Sequence, residues 1–192
     1  MPRRLAVVVA ALVALLLLAP TATAVAPAPR PLPPESQWRA AVHEVMDGGR
    51  AYLTRRAERA PRGARLAINL DIDNTMLATH YAEGRPIRAV RSFVRHARDL
   101  GMLVYVNTAR RPDRRAETHA ELARAGYDVD RICMRPRKGL ARSKATCRAR
   151  LHDAGFTIVA NLGNRPTDFE LNRGRAAYER AFRLPHYGKQ LG

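Results

Sequence analysis

Two aspartates, Asp71 and Asp73, close the short apolar run 66–70 and are followed by Asn74 and Thr75. Side chains alternate along an extended chain, so both carboxylates project to the same side and share one small volume. Their repulsion has to be offset by a cation or by a retained proton, and either condition is useful in a catalytic site. A solvated strand end can carry the same Asp-x-Asp-x-Thr pattern, so the reading depends on what else the chain brings to that place.

Three further groups of residues have matching chemistry. Thr108, Ala109 and Arg110 follow a second apolar run and offer a hydroxyl and backbone amides to a phosphate oxygen. Ser143 and Lys144 open a later helical stretch, and an ammonium at a helix start partners phosphate and carboxylate together. Only three lysines occur among 34 basic residues, which singles out Lys144, with Lys138 as the alternative. The fourth group is Gly163, Asn164 and Asp168, in which the glycine is read as a turn and the other two as oxygen ligands for a hard cation.

The elements that must position these groups follow from apolar spacing. Positions 38, 42, 45, 46 and 53 recur at helical intervals across 35–59, weakened at Gly48 and Gly49, which predicts one helix or two short ones. Strands are predicted at 66–70, 102–106, 131–134, 157–162 and 181–184, alternating with helices at 87–100, 114–125 and 143–154. Such alternation implies an α/β fold of three layers, a parallel sheet covered by helices on both faces, because parallel neighbours need crossover connections. Ligands of open α/β sheets bind beyond the carboxyl ends of the strands, where all four groups fall. About eleven residues separate Thr75 from the next helix, too few for a cap domain, so the site is expected to be open, with His80 and Arg110 within reach of a substrate.

The chain opens with Arg3 and Arg4, an apolar run at 5–18 and small residues at 21–26, the pattern of a secretory leader. The run is shorter than the roughly 20 residues of a membrane-spanning helix. We expect cleavage after Ala24, a proline-rich linker at 25–34 and a single domain at 35–192, with no stable membrane insertion once the leader is removed; an uncleaved anchor is the alternative. The net charge is +17, and removal of the leader takes away Arg3 and Arg4 and no acid, leaving +15. That field favours anionic substrates, a nucleotide or another polyanion included. The arginines are scattered and aromatic residues few, so stacking platforms for nucleic acid are not evident. Cys133 and Cys147 are either a disulfide, suited to an exported protein, or two buried thiols.

With their order and spacing, the four groups resemble the motifs of the haloacid dehalogenase (HAD) superfamily, and within it the capless acid phosphatases of subfamily III, close to IIIB. The resemblance runs from about Glu35 to the C-terminus: Asp71 to Thr75, then Thr108, then Lys144 followed by Arg148, then Gly163-Asn164 to Asp168. It implies a HAD-type sheet without a large cap and a phosphatase acting on small phosphomonoesters. Asp71 would be the nucleophile and Asp73 the general acid and base. Thr108, Ala109 and Lys144 would bind phosphate, and Mg²⁺ would be held by Asp71, the Asp73 carbonyl, Asn164 and Asp168. One departure stands out: the family's fourth motif begins Gly-Asp, whereas this chain has Gly163-Asn164. An amide coordinates without bringing charge, so a weakly active or inactive protein that binds polyanions through its basic surface is the competing expectation.

Overall fold

Strand β1 (Arg65–Leu70) is buried at every position after Arg65, and a strand buried on both faces has to lie inside a sheet with helices on either side. It is the central strand of a five-stranded sheet with the order β5-β4-β1-β6-β7. The partners are β4 (Leu103–Thr108), β5 (Arg131–Met134), β6 (Phe156–Gly163) and β7 (Arg180–Arg183), and every pairing is parallel. The computed structural model describes residues 31–135, 140–170, 177–188 and 190–191. The chain parts into two units, Met1–Pro31 and Leu32–Gly192, and every element named here belongs to the second. Among the described residues no helix is long and apolar enough to cross a membrane.

The two faces of β1 explain the layers. Leu66, Ile68, Leu70 and Ile72 join one large core with Trp38, Val42, Leu53, Phe93, Val94 and Leu122. These come from α1 (Glu35–Met46), α2 (Gly49–Glu58), α3 (Arg88–Asp99) and α4 (Arg115–Arg124). Gly48, at φ +64, separates α1 from α2, a conformation glycine adopts at little cost. On the opposite face Ala67 packs with Tyr105, Cys147, Leu151, Phe156 and Ile158, a smaller core under α5 (Leu140–Asp153). Asn69 and Asp71 follow Ala67 in steps of two and so belong to the α5 side.

After Asp73 the chain makes a tight turn in which the N–H groups of Thr75, Met76 and Leu77 all donate to the carbonyl of Ile72. Asn74 takes a positive φ of 56°, tolerated by asparagine more than by most residues. A small antiparallel hairpin follows, β2 (Leu77–Ala78) with β3 (Arg85–Pro86). Two residues per strand are too few to show a period in the sequence. This hairpin stands where a cap domain would be inserted, and no large cap is present among the described residues.

Cys133 on β5 and Cys147 on α5 form a disulfide, with Cα atoms 6.1 Å apart. Of the two readings left open above, the bond is the one observed. It fastens α5 to the edge of the sheet one turn beyond Lys144.

Candidate active site

The topology brings the four groups together at the carboxyl end of the sheet. Chain order reverses around β1, whose neighbours are β4 on one side and β6 on the other, and such a switch point leaves a crevice at the carboxyl ends of the strands. Asp71 is the first residue past β1 and its N–H donates to Leu162 on β6 at 3.0 Å. Thr108 ends β4, Lys144 lies in the first turns of α5, and Asn164 and Asp168 follow β6.

Lys144 is 2% exposed, and its ammonium donates to Asp71 Oδ1 at 2.7 Å and to Asp168 Oδ1. One cation thus serves two buried carboxylates, and the trio carries one negative charge in excess. Burial pushes the Asp71 carboxyl up to about 7, Lys144 works against that shift and Asp168 adds to it. Burial alone would lower Lys144, but the two carboxylates outweigh it and hold the ammonium above its ordinary value. The site is therefore short of positive charge, the condition under which a further cation binds favourably.

Asparagines on three adjacent strands support this trio. Asn69 on β1 donates to Asn161 on β6 at 2.5 Å, Asn161 donates to the Asp168 carbonyl at 3.0 Å, and Asn107 on β4 donates to the Lys144 carbonyl at 2.9 Å. Arg148, fully buried, donates to the carbonyls of Asp168 and Glu170 and so ties the loop after β6 to the helix that carries Lys144. Neither the role of Arg148 nor that of the asparagines follows from the spacing of the four groups alone. A polar residue one or two places before each strand-end group was the signal available.

Gly163 corrects an expectation. It is the last residue of β6 rather than a turn, and it lacks a positive φ. A Cβ there would overlap the Asp168 side chain, so the position is held to glycine by a close approach. Both Asp168 oxygens are engaged, one by Lys144 and the other by the Arg165 N–H at 2.8 Å. Asn164 differs: it is 2% exposed, and neither its side-chain oxygen nor its nitrogen has a protein partner.

Asp73 is held from the other side. Arg110 forks onto it, Nε to Oδ2 at 3.0 Å and an Nη to Oδ1 at 2.8 Å, while the Thr79 hydroxyl donates at 3.0 Å. Burial works to raise the Asp73 carboxyl, but the Arg110 hydrogen bonds and charge, with Thr79, hold it below the usual carboxylate range. Glu121 on α4 backs the arginine with a second ion pair. Arg110, expected within reach of a substrate, is engaged by Asp73 and Glu121; it lies 37 residues from Asp73, on the adjacent strand end, and the sequence alone points to neither Thr79 nor Glu121. The Thr108 hydroxyl accepts the Arg110 N–H at 3.1 Å, which leaves its own proton to donate, and Ala109 lies half-buried beside it. His80 is exposed on the hairpin, edge-on to Tyr81. Lys138 lies outside the described residues.

A parallel sheet with paired aspartates, a hydroxyl and a buried lysine at its switch point defines an α/β protein of the phosphoryl-transfer class. The model for subfamily IIIB of the HAD superfamily (acid phosphatase) matches residues 81–190, more than half of the chain, and the chain belongs to that family. It is a phosphatase. The match begins downstream of Asp71 and Asp73, so those two rest on the structure and on their own motif. Among solved structures the chain resembles the class C acid phosphatase from Bacillus anthracis, at 18% identity and a TM-score of 0.62, covering 79% of this chain and 78% of that one. The same enzyme with tungstate bound matches equally well. A weaker likeness is to the Pnkp1/Rnl/Hen1 complex, at 19% identity and a TM-score of 0.54, over 65% of this chain and 47% of the other. No curated protein matches the chain in sequence.

Proposed function

We propose that the chain is an exported, Mg²⁺-dependent phosphomonoesterase that works through an aspartyl-phosphate on Asp71. The observation that carries this reading is the buried Lys144 ammonium on Asp71 at the carboxyl end of the central strand, with Asp73 two residues on. Asp71 attacks phosphorus, and the bond from phosphorus to the leaving oxygen breaks. Asp73 gives its proton to that oxygen, and in the second half takes a proton from the water that releases phosphate. Thr108 and Lys144 bind the phosphoryl oxygens, which lowers the cost of charge developing there. The hold of Arg110 on Asp73 keeps its carboxyl below the usual range, so its proton-loaded form belongs to more acid conditions than that of a free aspartate.

The residues fit a divalent cation. The observation behind this is the buried Asn164 oxygen without a protein partner, and the other candidates are Asp71, the Asp73 carbonyl and Asp168, although among the described residues no three His, Cys, Asp or Glu side chains gather into a metal site. When bound, the cation offsets the negative charge shared by phosphate and nucleophile. Export is supported by the leader-like residues 1–24 and by the disulfide, which persists in an oxidising compartment. Intact mass of the exported protein tests it: a chain beginning at Val25 agrees, and a full-length product does not.

The function is tested by phosphate release from p-nitrophenyl phosphate, with Mg²⁺ and with EDTA, for the wild type and Asp71→Asn. We expect turnover that needs metal and disappears in the variant. A folded protein inactive under every condition would instead be a binder of phosphorylated ligands.

A further inference from the structure

A cavity of about 570 Å³ opens beside Asp73, within the range of small-molecule sites. Its walls are the Asp73 end of the catalytic turn, the hairpin around Gly84 and the outer face of α4. A proton donor has to lie within hydrogen-bond reach of the oxygen it protonates. If Asp73 protonates the leaving oxygen, this cavity receives the leaving group.

The lining has two properties that bear on substrate. No aromatic ring contributes to it. In the flanking segments Tyr81 stacks on the buried Trp38 at 4.9 Å and donates its hydroxyl to Pro33, His80 stands edge-on to Tyr81, and Tyr127 is buried and donates to Met76. The lining is also mostly charged, four arginines against four carboxylates, and most of these charges are already spent. Arg110 serves Asp73 and Glu121, and Arg114 serves Glu117. Arg85 and Arg124 form no salt bridge among the described residues, and Glu83 is the one lining carboxylate left over. Two guanidiniums, Arg85 on the hairpin and Arg124 on α4, thus line the cavity, and the acid without a salt bridge, Glu83, lies on the hairpin beside Arg85.

We propose that this cavity selects phosphoesters whose leaving group is small, hydrophilic and itself anionic, with Arg85 and Arg124 reading the second anion. A nucleoside finds no ring to stack on here, whereas a carboxylate or second phosphate meets two donors of fixed positive charge. The proposal rests on the phosphatase reading above and sharpens one of its open alternatives, since a nucleotide is the poorer substrate.

Three probes test it: phosphoglycerate, glycerol phosphate, which has the same skeleton without the carboxylate, and adenosine monophosphate, with phenyl phosphate as the common reference. The expected order of kcat/KM is phosphoglycerate above glycerol phosphate above adenosine monophosphate, the first step being about tenfold, as for one charge-assisted hydrogen bond. In the double variant Arg85→Gln, Arg124→Gln the ratio of phosphoglycerate to glycerol phosphate should fall to about one, through KM. The guanidiniums lie on the surface, so the variant is expected to fold, and circular dichroism checks this. Turnover of phenyl phosphate with adenosine monophosphate preferred, or with the phosphoglycerate ratio unchanged in the variant, overturns the cavity assignment while leaving the phosphatase reading in place. Absence of turnover on every substrate, phenyl phosphate included, overturns both.

Discussion

Replacing Lys144 by methionine removes the one cation between two buried carboxylates while keeping most of the side-chain volume. Asp71 and Asp168 are 6% and 2% exposed, and the ammonium lies 2.7 Å from Asp71. Removing one partner of a buried pair costs about 3–5 kcal/mol, because the remaining charge is left uncompensated. For a domain of this size each kcal/mol moves Tm by about 2–4 °C, so a fall of about 6–20 °C is expected near neutral pH. The sign with pH follows from the Asp71 carboxyl, already raised by burial to about 7 and raised further without the lysine. A raised acid contributes stability below its unfolded value and loses it as pH climbs through the folded one. The deficit of Lys144→Met against the wild type should therefore be small at about pH 4 and larger at about pH 8. Differential scanning calorimetry in the presence of EDTA measures it, and phosphate release should drop by about 10²–10³ in parallel. A Tm deficit that is the same at both pH values would refute the assignment of a charge-compensating role to Lys144.

Cutting the disulfide by Cys147→Ala should cost about 3 kcal/mol from the 14-residue separation it spans, or about 6–12 °C in Tm, and reductant should reproduce the loss in the wild type but not in the variant. Gly163→Ala pushes a methyl into the Asp168 side chain; we expect a loss of about 1–3 kcal/mol and weaker metal activation, read by Mg²⁺ titration of the rate. In Arg110→Gln, Asp73 loses the partner that holds its carboxyl low. The stability that a depressed carboxyl contributes is present above its ordinary value and lost as pH falls through the folded one. The Tm gap between wild type and this variant should accordingly be full at neutral pH and close below about pH 4, and a gap that widens in acid would contradict the ion pair.

Much of the sheet was legible because each strand is a short apolar run punctuated by a chemically distinct residue. The strand at 131–134 has the predicted bounds, and β6 extends one residue past its prediction at each end, since Phe156 and Gly163 still pair with neighbours. The hairpin after Asp73 was not legible, because its two-residue strands are held by the turn on Ile72 rather than by any pattern of their own. Within the site, spacing put Asp71 and Asp73 at the end of one strand, with Thr108 and Asp168 after neighbouring strands and Lys144 at a helix start. Pairings across elements were beyond it: Arg110 on Asp73, Glu121 behind Arg110, and Lys144 shared by Asp71 and Asp168 depend on which helix covers which face. Glycine at 163 was misread for the same reason, since a close approach by a residue five places later looks in sequence like any other turn.

The central claim is that Asp71 carries the phosphoryl group during turnover. Rapid acid quench of the enzyme with substrate and Mg²⁺, followed by borohydride reduction and peptide mass spectrometry, converts an aspartyl-phosphate to homoserine at the labelled position. Homoserine is expected at position 71 only when substrate is present, and not in Asp71→Asn. Steady phosphate release with residue 71 unmodified throughout, or full turnover by the asparagine variant, would contradict it.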